Sequence, residues 1–502
     1  MRTKKAILNF IFDAMPQLLI SLIGFIRIKV ILDVLGNDTL GIYQLFAQLL
    51  AYVSLAELGI TTALAFSLYG PIFKNDHKRI NALLSGSRKV FNYIFLIMLG
   101  IGIILTLNIN IFIKDTVLDY NFIHVCFLLM LIGSILSYLI VPYTTLFDSE
   151  QNKYKYLRYT QCLSLIRAIL EVIVIIVFKN LLMILIMTIL FVALQNIVVI
   201  YLCKKEHPWL SLNEEKDYGF VKKTKELIPH KVGVLVANNI DVVIISAVLG
   251  LKEVVSYTSY MYIVNTLITT FSKINPSTQS GIGNLIIEND GKKNNKLYDT
   301  FIEYNAFVFF LATLICVPLF CVMTQFISLM YGSGYTLNTI TLFLFVFIVF
   351  YSIIRNNLHI YTNAAGLFKE TQICVFIEIV MNLSLSLILV HYIGITGVLL
   401  ATAISYIVSE FLIKPSLLNK HIFKNKISKY YTDSLIYAIF AIIIGFGFHY
   451  VIGYIHINNL FMWFICGVVI TLINALFTFV YYYYILKRRN FIDRIIKMIR
   501  RS

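Results

Sequence analysis

Ionisable side chains stand inside long apolar runs of this sequence, among them Arg27, Lys29, Glu57, Arg167, Glu171, Asp241, Lys273, Arg355 and Glu378. A charged group at the centre of a bilayer costs about 2.5–3.5 kcal/mol on insertion scales, so such residues persist where they pair or face a wet cavity. Two chemistries follow from their types. Arg and Lys can replace part of an anion's hydration shell, Arg with a bidentate fork; Arg27, Arg355, Lys273 and Arg167 are the candidates for that positive lining. The carboxylates near mid-depth, Glu57 and Asp241, can take up a proton or Na+ during a cycle, or pair with an Arg. Asn238 and Asn239, beside Asp241, make that run the most polar one. They suit sugar hydroxyls or hydrogen bonds between helices.

Position along each run refines these roles. Lys29 follows Arg27 by two residues, about 200° around a helix, so the two cannot share a face. Arg27 is expected to look into a cavity and Lys29 to snorkel outward. Arg167 and Glu171 stand at i and i+4, the spacing of a self-neutralised pair. Lys273 and Glu378 fall near the inner ends of their runs and are expected to snorkel, whereas Arg355 lies deeper.

The elements that hold these residues must be membrane helices. Of the 502 residues, 59% are hydrophobic and 14% charged, against about 45–50% and about 25% in soluble domains. The mean hydropathy is +0.82, more apolar surface than one soluble core can hide, so lipid is the solvent. The net charge of +16 sits in short stretches between apolar runs, as in cytoplasmic loops, which argues against nucleic acid as a ligand. The seven cysteines form no CxxC pair and read as small buried hydrophobes, with no disulfide framework and no metal site expected. MRTKK and the apolar run after it carry Asp13, Pro16 and Gln17 and no A-x-A site before Arg27, so this stretch is read as a retained first span. No Walker, HExxH, GxSxG or paired-carboxylate loop is present, so no catalytic residue and no cofactor is expected.

Runs of about 20 apolar residues place fourteen spans at 10–33, 42–67, 90–113, 121–146, 157–178, 181–202, 229–250, 254–276, 301–324, 337–360, 372–392, 394–413, 432–455 and 460–486. The narrowest separations are at Lys179-Asn180 and between His391 and Gly397. With the N-terminus inside, the outer loops hold only Lys114, Lys179 and Lys252, a strong positive-inside bias with both termini cytoplasmic. Pro16 and Pro142 are expected to bend their helices. The basic tail, 487–502, repeats Ile and Phe at helical spacing and suits the anionic inner surface.

An internal repeat organises the spans. Ile26 to Tyr43 reads IRIKVILDVLGNDTLGIY and Ile240 to Tyr257 reads IDVVIISAVLGLKEVVSY. Leu35 matches Leu249, Gly36 matches Gly250, Tyr43 matches Tyr257, and Arg27 matches Asp241. Two six-helix lobes follow, 1–205 and 229–415, joined by a cytoplasmic linker over 206–228, with spans thirteen and fourteen at 416–486 as an addition.

Leu35-Gly36 with Tyr43, then Glu57-Leu58-Gly59-Ile60, then Asn239-Ile240-Asp241 with Ile245 and Leu249-Gly250 resemble the Wzx-type polysaccharide flippases. These belong to the multidrug/oligosaccharidyl-lipid/polysaccharide exporter superfamily. The resemblance implies an all-α integral membrane protein with about fourteen helices and two pseudo-symmetric lobes around a central cavity. It further implies alternating access, a polyprenyl-pyrophosphate-linked oligosaccharide as substrate, a place in the cell membrane, and partners among polysaccharide-synthesis proteins. The motifs are short, and they place acidic residues at Asp241 and Glu57 without giving them a role.

Two other functions compete. A multidrug/cation antiporter of the same superfamily would favour acidic cavity groups, whereas the basic ones here are at least as many. A membrane enzyme acting on lipid-linked glycans would need a substantial outer loop for its acceptor, and the outer loops here are short.

Overall fold

A computed structural model describes residues 2–57, 59–114, 116–224, 240–272, 282–283, 285–286, 295–425 and 427–486. Asn238, Asn239, Lys273, the end of the linker at 225–228 and the tail at 487–502 lie outside them. Every regular element among the described residues is helical. Nine of these helices are long and apolar enough to cross a membrane, and the protein is an all-α, multi-pass membrane protein. Their outer faces are apolar: Ile176 is 53% exposed, Leu190 64% and Leu472 66%. Only lipid makes such surfaces inexpensive.

The two narrowest separations in the sequence are both real turns. Lys179, at φ 48°, closes Tyr154–Phe178, and the Asn180 side chain accepts the Leu182 N–H at the start of Leu181–Glu206 (2.9 Å). Phe368–Tyr406 is not one rod, because Ile393 and Gly394 leave helical geometry. Asn382 Nδ2 donates to Thr402 Oγ1 at 2.8 Å across 20 residues, which a straight helix would separate by about 30 Å. The chain therefore doubles back. Gly397 permits the tight return, since a Cβ there would lie 2.4 Å from the Leu389 carbonyl oxygen.

Two expected spans are less regular than their hydropathy suggests. The second divides into Asn37–Val53, a 3-10 turn at Ser54–Glu57, and Ile60–Lys74. Gly59 sits between at φ 78°, a conformation that only glycine adopts at little cost. The fourth tightens to a 3-10 turn at Ser137–Ile140 before Val141–Ser149. Pro142 lacks the N–H that would continue the helix. Pro16, by contrast, lies inside the continuous helix Arg2–Leu35.

The chain forms two compact units, Met1–Val255 and Ser256–Ser502. In the first, Arg2–Leu35 lies along Tyr154–Phe178, which packs in turn on Leu181–Glu206. The helix at 240–248 joins this unit through side chain-to-backbone bonds: Ser246 Oγ to the Phe112 carbonyl (2.6 Å) and Lys114 Nζ to the Val248 carbonyl (2.8 Å). Gly36 and Gly250, the matched glycines of the repeat, have φ of 84° and 103°, and each immediately precedes a helix. In the second unit, Asn295–Tyr331 is central. Spans thirteen and fourteen are fixed to it by polar groups: Asn305 Nδ2 to Ser434 Oγ, Asn474 Nδ2 to the Thr313 carbonyl (both 3.1 Å), and Trp463 Nε1 to the Val322 carbonyl (2.8 Å). In lipid, where apolar contact alone does little to join helices, such bonds help to hold a bundle together.

The described part of the linker is ordered against the first unit. Asn81 donates to the Trp209 carbonyl (3.1 Å) and accepts the Ser211 N–H (3.2 Å), while Asp217 N–H reaches the Ala82 carbonyl (3.0 Å). At its root, His207 Nε2 stands 2.9 Å from Glu150 Oε1 and Nδ1 stands 3.1 Å from the Cys203 carbonyl. Both ring nitrogens meet acceptors, so the imidazolium satisfies both. Burial opposes the charge, but the Glu150 hydrogen bond and carboxylate outweigh it and hold His207 above its ordinary value. Burial likewise opposes ionised Glu150, yet His207 holds it below the usual carboxylate range. The carboxylate's contribution is lost as pH falls through its lowered pKa. That of His207 is complete below about 6.5 and lost as pH rises through its raised pKa. Unfolding scans should therefore show wild type exceeding His207→Gln most between about pH 4.5 and 6.5, with the gap closing as pH rises through the raised His207 pKa. A gap independent of pH would refute the charged pair.

Candidate functional site

The buried charges gather in two clusters, one in each unit. In the first, Arg27 Nη1 donates to Glu171 Oε2 at 2.6 Å, bridging Arg2–Leu35 and Tyr154–Phe178. Arg167 Nε lies 3.5 Å from the other oxygen, Oε1, which also accepts from Thr188 Oγ1 at 3.2 Å. Glu171 is 1% exposed. The Arg27 guanidinium also lies over the Tyr43 ring at 5.7 Å, an arrangement that favours a cation. The Arg167–Glu171 pair expected from spacing exists, but it is not self-contained, because Glu171 serves Arg27 as well. Two guanidinium groups share one carboxylate. Lys29 faces elsewhere and pairs locally with Asp33 at 3.4 Å.

Glu57 and Asp241 belong to the same unit. Glu57 ends the 3-10 turn that interrupts the second span, within electrostatic range of Tyr138. Asp241 is 8% exposed and within electrostatic range of Tyr52. A carboxylate at a break in a membrane helix has backbone carbonyls nearby that no helix partner satisfies, the setting in which transporters coordinate small cations.

The second cluster is larger than the sequence suggested. Arg355 Nη1 stands 3.6 Å from Glu378 Oε1, and its guanidinium lies 4.3 Å over the Tyr406 ring. Glu378 is therefore turned inward, its side chain only 12% exposed, and does not snorkel; a guanidinium partner costs it less than the reach to water. Lys414 reads in the sequence as a loop charge beyond the twelfth span. It is instead 2% exposed and donates to both oxygens of Glu410 at 2.9 Å. His359 Nε2 stands 3.6 Å from Glu410 Oε2, and His359 Nδ1 lies 3.0 Å from Lys414 Nζ. Glu410 lies in a π-helical stretch, Ile407–Ile413, a departure from regular helix that recurs at functional sites. Beside the cluster is a cavity of about 170 Å³ lined by Ser272, Ser352, Arg355, Asn356 and His359, with Ile268, Phe271 and Ile353.

Sequence reasoning missed His359, Glu410, Lys414 and Thr188. The i,i+4 spacing of Glu410 and Lys414 was the available signal. An apolar cavity of about 80 Å³ lies elsewhere in the second unit, lined by Phe320, Phe343, Phe347, Ala441, Gly445 and Phe446 among others.

No family model matches the sequence, and no curated protein matches it significantly. Solved structures do. A lipid II flippase MurJ in an inward closed conformation aligns with a TM-score of 0.65 at 15% identity, covering 95% of this chain and 99% of that one. An inward-facing multidrug resistance MATE family transporter of the MOP superfamily aligns at 0.61 and 15% identity, over 82% of this chain and 98% of that one. A MOP superfamily transporter from Pyrococcus furiosus, described by the reverse polarity of its binding pocket, aligns at 0.51 and 14% identity, over 83% and 99%. At these identities the likeness is one of fold: the chain has the helical fold shared by MurJ and the MATE transporters.

Proposed function

We propose that this protein is a flippase that carries a polyprenyl-pyrophosphate-linked oligosaccharide from the cytoplasmic to the outer leaflet for cell-surface polysaccharide synthesis. It resides in the cell membrane with both termini in the cytoplasm and works by alternating access between its two lobes. The observation that carries this reading is the arrangement of Arg27 and Arg167 around the single carboxylate of Glu171. Two guanidinium groups held within membrane helices around one carboxylate offer an anion a place to bind, and a pyrophosphate is one that Arg can grip with two parallel bonds. Arg355 at the 170 Å³ polar cavity supplies a second such group. The apolar cavity lined by Phe and small residues offers the dry surface that a prenyl chain needs. The MurJ-like fold supports the same direction. Asp241 and Glu57 remain the candidates for a coupling H+ or Na+, with Lys273, Asn238 and Asn239 as further substrate contacts.

The antiporter reading draws on one feature, the carboxylate at the Ser54–Gly59 break. A single experiment separates the two. In cells depleted of the protein, the lipid-linked glycan should accumulate on the cytoplasmic leaflet. A normal leaflet distribution, with retention of a small cation instead, would replace the flippase by the antiporter.

A further inference from the structure

His359 sits where a proton and an anion would meet. An ammonium can only donate, so the 3.0 Å contact makes His359 Nδ1 the acceptor from Lys414 Nζ. The ring is then neutral and carries its hydrogen on Nε2, toward Glu410 Oε2. In that state the cluster balances, with Arg355 and Lys414 against Glu378 and Glu410. His359 is its most exposed member, with a side chain 35% accessible, and it lines the polar cavity with Arg355, Asn356, Ser352 and Ser272. The Ser352 hydroxyl, also in that lining, has no hydrogen-bond partner among the described residues.

We propose that the 170 Å³ cavity binds an oxyanion together with one proton, and that His359 holds the proton. The inference rests on the anion-transport reading above and adds to it a group that binds a proton with the anion. The proton enters from water onto Nδ1, which then no longer accepts from Lys414; the imidazolium turns that nitrogen from the ammonium toward the anion in the cavity, and Lys414 keeps both of its bonds to Glu410. The cluster moves from neutral to a net charge of +1 at the cavity wall, and the anion offsets it. No other bond is made or broken.

The surrounding groups leave this role to His359. Glu410 is already held by two bonds from Lys414, and Glu378 by Arg355. Tyr406 lies under the Arg355 guanidinium, while Tyr430 and Cys374 are within electrostatic range of Glu410 from their own helices. Leu251–Ser272 adds no charged group to the cavity among the described residues. A bound anion must raise the affinity for the proton by the same factor by which the proton raises that for the anion.

Sulfate, which does not titrate near neutral pH, serves as the probe on the purified full chain in detergent. Binding should tighten by roughly 10–100-fold between pH 7.5 and 5.5. Weakly buffered protein should take up close to one proton per sulfate bound. His359→Gln should show neither proton uptake on binding sulfate nor tightening between pH 7.5 and 5.5. His359→Lys, a fixed charge, should bind at pH 7.5 about as wild type does at 5.5. Sulfate binding without proton uptake, or uptake retained in His359→Gln, would overturn the inference and leave the flippase reading standing. No sulfate binding at either pH would overturn both the inference and the anionic-substrate reading.

Discussion

Lys414→Met should lower the unfolding free energy by about 3–5 kcal/mol, the usual consequence of leaving a buried charge without its partner. Lys414 is 2% exposed and Glu410 1% exposed, so neither can turn to water or to lipid headgroups. Two bonds of 2.9 Å join them. With the ammonium gone, Glu410 keeps His359 at 3.6 Å, beyond hydrogen-bond length, and the more distant charge of Arg355. The double variant Glu410→Gln/Lys414→Met removes both charges and should recover most of the loss, because a buried ion pair adds little over a neutral pair of similar volume. Denaturant unfolding in detergent at pH 7.5 measures both. A single variant within about 1 kcal/mol of wild type would mean that the pair is solvated and the cluster is not as described.

The second large effect concerns transport, and two substitutions in one cluster should act in opposite directions. Arg27→Ala removes a guanidinium but leaves Glu171 its contact with Arg167 at 3.5 Å and its bond from Thr188. The protein should therefore fold, while one of the two guanidinium groups disappears. A hydrogen bond to a charged group contributes about 1.5–3 kcal/mol, so flipping of lipid-linked glycan in proteoliposomes should fall roughly 10–150-fold. Arg27→Lys should fall less, since the charge survives and the bidentate fork does not. Glu171→Gln neutralises the competitor for both guanidinium groups and should bind the anionic headgroup more tightly than wild type. If Arg27→Ala and Glu171→Gln changed headgroup affinity in the same direction, the cluster would be a structural tie and nothing more.

The sequence made the membrane helices and the unusual residues within them legible, but not who meets whom. Apolar runs located the spans, and the turns at Lys179 and Gly394 fell at the two narrowest separations. The break at Ser54–Gly59 escaped because hydropathy averages over some 20 residues, whereas the break depends on one glycine with positive φ. Arg27 and Glu171 each stood out as a charge in an apolar run, yet their contact spans 144 residues and has no period to betray it. Lys414 was misread for a different reason. At the end of a span a lysine is inexpensive in water, so it counted as a loop charge. Its burial follows from the π-helical turn of Ile407–Ile413 and the helices packed around it, and neither is a local property of the sequence.

Gly36 and Gly250 share a backbone geometry, and the residues nine positions before them, Arg27 and Asp241, carry opposite charges. Two identical chains assembled as a symmetric pair would be bound to place the same charge at both positions, since any substitution would appear twice. Only a single polypeptide that contains both copies can hold a cation at one and an anion at the other. The two glycines are alike in their positive φ, while the charges nine positions before them are free to differ.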